Sequence, residues 1–282
     1  MTTAYTVGAT LGPSIGGYLA DKGDFYIGAK LAVVGSLISV VLSLLYLPKE
    51  TQPAKERSEP VKENSSSSKQ SSFQAQVLRS ISIALRPTLW PLLAVKILGG
   101  VVASIPSTAM PLVLTQVLKL EPSQFGFSMS SNMMAVAAFG AVGMAPMTKA
   151  LGPPGMTYTG LLGRAVMGCL VAGIVSFAME NTQFVLVQII VVGILHALAS
   201  HALATGLTTQ TTGAVAPHEQ GSLLGLEDSF FSLARIGGPK VATFLLDLRS
   251  GLWPVEIVCG VSDVLLVLGL LATASQLKQK SP

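Results

Sequence analysis

The sequence predicts an all-α integral membrane protein, a bundle of eight transmembrane helices. Three observations predict it. Half of the 282 residues are hydrophobic and only 11% are charged, where a soluble domain carries about a quarter. That leaves too little polar surface to keep a globule of this size in water. Eight apolar stretches of about 20 residues, the length that crosses a bilayer core as a helix, run at about 4–20, 27–47, 89–117, 124–149, 157–179, 183–209, 221–246 and 252–273. And the first of them is built on Gly8, Gly12 and Gly16, three small residues at helical spacing with Gly17 beside them, a pattern by which helices associate in lipid.

Taken in order, the first span holds that glycine stripe and Pro13, whose ring removes one backbone hydrogen bond and kinks a helix. The second, 27–47, is uninterrupted. Between it and the third lies a segment of another composition, from Pro48 to about Pro87, rich in Lys, Glu and Pro and containing Ser65-Ser66-Ser67-Ser68. Such a segment buries too little apolar surface to fold alone, which predicts a linker over 48–88. Its end, about 73–86, has apolar residues at helical spacing with Arg79 and Arg86, the pattern of a short amphipathic helix on a membrane face. The C-terminal six spans then occupy 89–275 and a tail 276–282. Cys169 and Cys259 lie inside apolar segments and read as small core residues.

Lys and Arg in the short connections set orientation. The linker holds seven, Lys149 one and the tail Lys278 and Lys280; the other side holds Lys22, Lys30, Lys119 and Arg249. Ten against four places the linker and C-terminus in the cytoplasm, where 48–88 offers a surface to a cytoplasmic partner. The formal charge of +4, concentrated in that linker, is not a nucleic-acid footprint. Which membrane the chain inhabits, plasma or organellar, is not written in it.

An internal repeat follows. Gly12-Pro13 through Asp21 aligns with Gly238-Pro239 through Asp247 at an offset of 226 residues, and the same offset carries span 27–47 onto the last span. In an array of two equal parallel halves the interval between matching helices is one half plus its linker. Six helices lie in that interval, so the full array has twelve. The chain then begins at the fifth, as an incomplete gene product or as a truncated form. Asymmetry inside the repeat, with Arg235 facing Ala9 and Ala242-Thr243 facing Gly16-Gly17, predicts that the first copy keeps close packing while the second takes on charge.

Two parallel six-helix halves joined by a long basic loop resemble the major facilitator superfamily of transporters. Gly8-x-x-x-Gly12-Pro13-x-x-Gly16-Gly17 matches the antiporter motif of helix 5 in the drug–proton antiporters of that superfamily. Pro217 to Leu226 with Arg235-Ile236-Gly237-Gly238-Pro239, and Lys119 to Gly126, are similar to the stretches around helices 10–11 and 7–8 in the organic-cation-transporter-like branch, solute carrier family 22 member 18. Met147 to Gly155 is a poor copy of the family's loop motif, lacking its acidic residue. The resemblance implies proton-coupled exchange of an organic, cationic or amphiphilic solute by alternating access, with no enzyme activity and no cofactor. The rival reading is a truncated facilitator-like chain acting as a receptor or interaction partner.

Ionisable side chains at membrane depth are costly and therefore site candidates. Arg235 falls near the midplane of its span, with Asp228 and Ser232 on the same face and Glu227 adjoining; these form either a solute or proton-coupling site or a structural ion pair. Asp263, midway along the last span, is either a lone proton carrier or the partner of Arg235. Lys96 either snorkels to the linker-side surface or touches solute. Glu256 and Lys240 fall close to the outer face, as interfacial residues. His196 and His201, five apart, point about 140° away from each other on a helix; one faces a cavity and the other packs. Gly8, Gly12, Pro13, Gly16, Gly17, Gly238 and Pro239 are the candidates for conformational switching. Three histidines exclude a multi-histidine di-iron site, no metal is expected, and the absence of G-x-x-x-x-G-K-[ST] leaves ATP-driven transport unsupported.

Overall fold

The computed structural model describes residues 2–22, 26–46, 81–177, 182–248 and 252–279. Most of the linker (47–80), the greater part of the expected amphipathic helix, Arg249 and the last three residues lie outside the described residues. Among the described residues eight long helices follow one another: α1 (Thr2–Asp21), α2 (Ile27–Tyr46), α3 (Trp90–Leu112), α4 (Pro122–Val142), α5 (Met144–Phe177), α6 (Thr182–Gly213), α7 (Gln220–Leu248) and α8 (Trp253–Gln279). Among the described residues six of them, all but α1 and α7, are long and apolar enough to cross a membrane by length and composition. Apolar residues such as Val102, Leu114, Val171 and Val255 close a core between the helices, but others continue outward past it. Nothing on α2 is buried, and Leu37, Val166 and Leu265 are all more than half exposed, as helices facing lipid require.

The main pairings are α5 with α6 and α8, α3 with α7 and α8, α4 with α6, and α1 with α4. Short connections alternate the direction of the last six, so α3, α5 and α7 leave from the linker face while α4, α6 and α8 leave from the opposite one. The observed ends differ most from expectation around the break between the expected spans 124–149 and 157–179. There α4 ends at Gly143 and α5 begins at once. Only Gly152 leaves helical geometry, at φ 66° and ψ 168°, a conformation glycine adopts without strain. Pro153 and Pro154 follow it in the first-turn positions where proline is tolerated.

At the end of the linker, Ile81–Ala84 make a single helical turn. Ile83 and Ala84 are buried against Leu89, Leu93, Val215 and Leu223. This turn is docked on the bundle; the rest of the expected amphipathic helix lies outside the described residues.

The glycine stripe also differs from expectation. Gly8, Gly12 and Gly16 have open space around them, and the face of α1 that packs is Pro13, Ser14, Gly17 and Asp21. A Cβ at Gly17 would run into the Pro122 carbonyl, and one at Gly126 into the Pro13 carbonyl. The two backbones therefore meet without side chains between them. Beside Pro13, the Ser14 N–H donates out of its helix to Ser130 Oγ at 3.0 Å. Asp21 Oδ2 accepts from the Ser123 N–H at 3.2 Å, placing a carboxylate at the α4 N-terminus where the helix dipole favours it. Gly17→Val or Gly126→Val should cost about 1–3 kcal/mol through overpacking and loosen α1 from α4, whereas Gly12→Val should change nothing. Thermal unfolding of the three variants in detergent checks this.

The second copy of the repeat is close-packed as well, contrary to the division between packing and charge read from the sequence. A Cβ at Gly238 would overlap Ser104 of α3, while its counterpart Gly12 stands open. Conversely Gly17 is packed and its counterpart Thr243 is exposed. Each copy buries the face that the other leaves open.

Candidate functional site

Inside the last six helices a mostly apolar cavity of about 270 Å³, with a few charged side chains in its wall, is lined from α3, α4, α5, α6 and α8. Its chemistry comes from three charged side chains. Arg164 of α5 donates from Nη2 to Asp263 Oδ1 of α8 at 3.1 Å, with both side chains buried. Glu256 lies on the same α8 face, seven residues before Asp263, and is 3% exposed. Its carboxylate sits over Gly168, one turn along α5 from Arg164; a Cβ there would overlap Glu256 Oε2. Glycine at 168 is what lets a second carboxylate come within electrostatic reach of the same guanidinium.

The rest of the lining is mixed. Cys259, between the two acids, donates its thiol to the Val102 carbonyl at 3.6 Å. Pro106, four residues on, has no N–H to offer that carbonyl, so the thiol supplies the donor that the proline removed. His196 of α6 and Met110, Met129 and Met133 face the space. Asn132 of α4 lies against Gly193 of α6, and its Oδ1 is buried without a hydrogen-bond partner among the described residues. One guanidinium thus stands beside two carboxylates. A buried charge left unanswered is expensive, so the second carboxylate requires either a proton or a cation.

A second charged pair lies nearer the linker face. Lys96 of α3 pairs with Glu227 of α7 and donates to Thr208 Oγ1 of α6 at 3.1 Å. Glu227 Oε1 is buried without a partner among the described residues. Lys96 therefore neither snorkels to the surface nor stands free, and the pair ties three helices together with no net charge.

At the linker face itself, Arg86 forks onto both Glu219 oxygens at 2.9 and 2.8 Å, a bidentate geometry that arginine favours. Its hydrogen bonds hold the Glu219 carboxyl below the usual carboxylate range and raise the guanidinium. A carboxyl lowered in the folded state stabilises above its unfolded pKa and loses that contribution as pH falls through the folded value. The clasp should hold at neutral pH and open below the ordinary glutamate value of about 4.3. Emission of Trp90, beside the clasp, recorded against pH in a Trp253→Phe background should change on acidification and lose that transition in Glu219→Gln.

The remaining sequence candidates lie elsewhere. Asp228, Ser232 and Arg235 do share one face of α7, but that face is exposed. Arg235 stacks over Phe231 at 5.6 Å and does not reach Asp263, because α7 turns Glu227 and Gly238, not Arg235, toward α3. Lys240 and Pro239 are exposed, while Glu256 is a cavity residue, not an interfacial one. His201 packs beside Gly140 of α4, 3.4 Å from where a Cβ would stand. Cys259 is buried but Cys169 is exposed on the lipid side, so only one of the two cysteines is a core residue. Arg164, Asn132 and Gly168 were not singled out from the sequence. Arg164 lies eight residues into the span 157–179 and met the same depth criterion as Asp263, so its signal was present. No such signal marks Asn132 or Gly168.

Among curated proteins none matches the chain. A model of the Major Facilitator Superfamily matches residues 1–239, which takes in α1 to α6 and part of α7 but stops before α8, the helix of Glu256 and Asp263. With an all-helical bundle and helices fit to cross a bilayer, this makes the chain an integral, multi-pass membrane protein and a member of the major facilitator superfamily, the membrane transporters of small solutes.

Proposed function

We propose that the protein exchanges protons for an organic solute, cationic or amphiphilic, by alternating access. The observation that carries this reading is the cavity charge: Glu256 and Asp263 share one buried cation, Arg164. A proton on one carboxylate neutralises the site, and so does a cationic solute. Two occupants that satisfy the same charge exclude each other, which is the logic of exchange. The three cavity methionines suit an apolar body of variable shape.

In the same reading α1 and α2 (1–47) belong to the first half of the transporter, 89–275 forms the second, and the linker and C-terminus are cytoplasmic. The α1–α4 contact at Gly17 and Gly126 is then the seam on which the halves rock. The match of the Gly8 to Gly17 stretch to the antiporter motif favours exchange over uniport, and the likeness to the organic-cation-transporter-like branch favours a cationic solute. Vesicles holding the full-length protein test it: a pH gradient should drive accumulation of a lipophilic amine, and dissipating the gradient should abolish it. Accumulation insensitive to the gradient would dismiss proton coupling.

A further inference from the structure

Three of the helices that enclose the Arg164 cavity carry a second, larger recess on their outer side. It is an open groove of about 1140 Å³ between α5, α6 and α8. Its residues alternate with those of the cavity: Ala165 follows Arg164, Cys169 follows Gly168, and Gly260 and Val264 follow Cys259 and Asp263. On α8 it runs from Trp253 to Leu265 and on α5 from Phe177 to Ala165. Each covers twelve helical steps, roughly 18 Å at helical rise, close to one leaflet of a hydrocarbon core about 30 Å thick. The groove therefore occupies the leaflet opposite the linker face and opens sideways into lipid.

Its floor is aliphatic and uneven, with glycine and alanine between branched side chains and aromatic rings only at the outer end. A flexible chain follows such a floor better than a rigid ring system does. One polar side chain interrupts it: Gln188 of α6, whose amide makes no hydrogen bond among the described residues. With 32 residues α6 is roughly 48 Å long and overhangs a 30 Å core by roughly 9 Å at each end. Gln188, six residues from Thr182, thus stands at the boundary between hydrocarbon and headgroups. An amide there without a protein partner calls for one from the membrane. The groups found at that depth are the ester carbonyls of phospholipids.

We propose that this groove is a phospholipid site, with acyl chains lying along its floor and an ester carbonyl accepting a hydrogen bond from the Gln188 amide. The bound lipid braces α5 against α8 from outside, on the two helices that hold Arg164 and Asp263 inside.

Native mass spectrometry of the full-length protein, delipidated in detergent and supplied with palmitoyl-oleoyl phosphatidylcholine, tests the proposal. The wild type should retain one lipid. Gly173→Leu, at a position where a Cβ would meet only the Trp253 ring, at 4.0 Å, should fill the groove and lower occupancy at least fivefold, roughly the loss expected of one good contact. Gln188→Leu, which sacrifices no protein contact, should lower it similarly, and Leu37→Phe on the exposed α2 should leave it unchanged. Retention in either groove variant at the wild-type level, or displacement of the phospholipid by an equal concentration of cholesterol, would overturn the proposal.

Discussion

Replacing Arg164 by methionine is expected to lower stability by about 3–5 kcal/mol, the usual penalty for removing one partner of a buried ion pair. The side chain is 6% exposed and lies against Asp263, itself almost fully enclosed. Methionine fills similar volume, so the loss is one of charge more than of packing. It leaves Asp263 and Glu256 facing each other with no cation, and both must then take protons or open the bundle to water. Glu256→Gln in the same chain should recover part of the loss, because it removes one of the two orphaned acids, and so should Asp263→Leu. The coupling is measured by a double-mutant cycle on thermal or denaturant unfolding. Strictly additive losses would mean that the three groups do not act as one electrostatic unit.

Neutralising a single carboxylate is expected to do the opposite: spare the fold and stop exchange. In Asp263→Asn the guanidinium still has Glu256 over Gly168, and in Glu256→Gln it still has Asp263 at 3.1 Å. Either way the cavity becomes one cation with one anion, and the vacancy for a proton or a cationic solute is gone. Proton-driven flux should fall at least tenfold in both variants, a difference of about 1.4 kcal/mol or more in the coupled step, with melting temperature close to wild type. Arg235→Gln and Asp228→Asn, on the exposed face of α7, should keep their flux.

The contrast between these two sets of residues shows how far the sequence could be read. Helix existence was legible because bilayer thickness dictates span length and the apolar runs announce it. Even the 226-residue repeat was visible in Gly12-Pro13 and Gly238-Pro239. Helix rotation was not legible. Spacing placed Gly8, Gly12 and Gly16 on one face and Asp228, Ser232 and Arg235 on another, and both groupings hold in the structure. But α1 meets α4 through Gly17, and α7 meets α3 through Glu227 and Gly238. In a soluble protein the apolar face of a helix announces its partner. In a membrane bundle lipid-facing and core-facing residues are equally apolar, so periodicity fixes which residues share a face without saying where the face points.

Asp263 was recognisable by depth alone, whereas its partner was sought on the neighbouring span in sequence and lay on α5. Glu256, placed near the outer face by counting, is enclosed because Gly168 makes room for it, a contact between helices that no local pattern encodes. The Cys259 thiol bonded to the Val102 carbonyl is the same kind of fact: Pro106 showed that a carbonyl had lost its donor, but not which helix would supply one.

The central claim, that Glu256 and Asp263 share Arg164 so that a proton and a solute compete for one charge vacancy, is most directly tested by proton movement evoked by solute. Vesicles carrying the full-length protein and an internal pH indicator receive a lipophilic amine on one side only. The wild type should move protons in the opposite direction, in proportion to amine transported, and Glu256→Gln and Asp263→Asn should move amine without protons or not at all. Wild-type proton counterflow in those two variants would contradict the account.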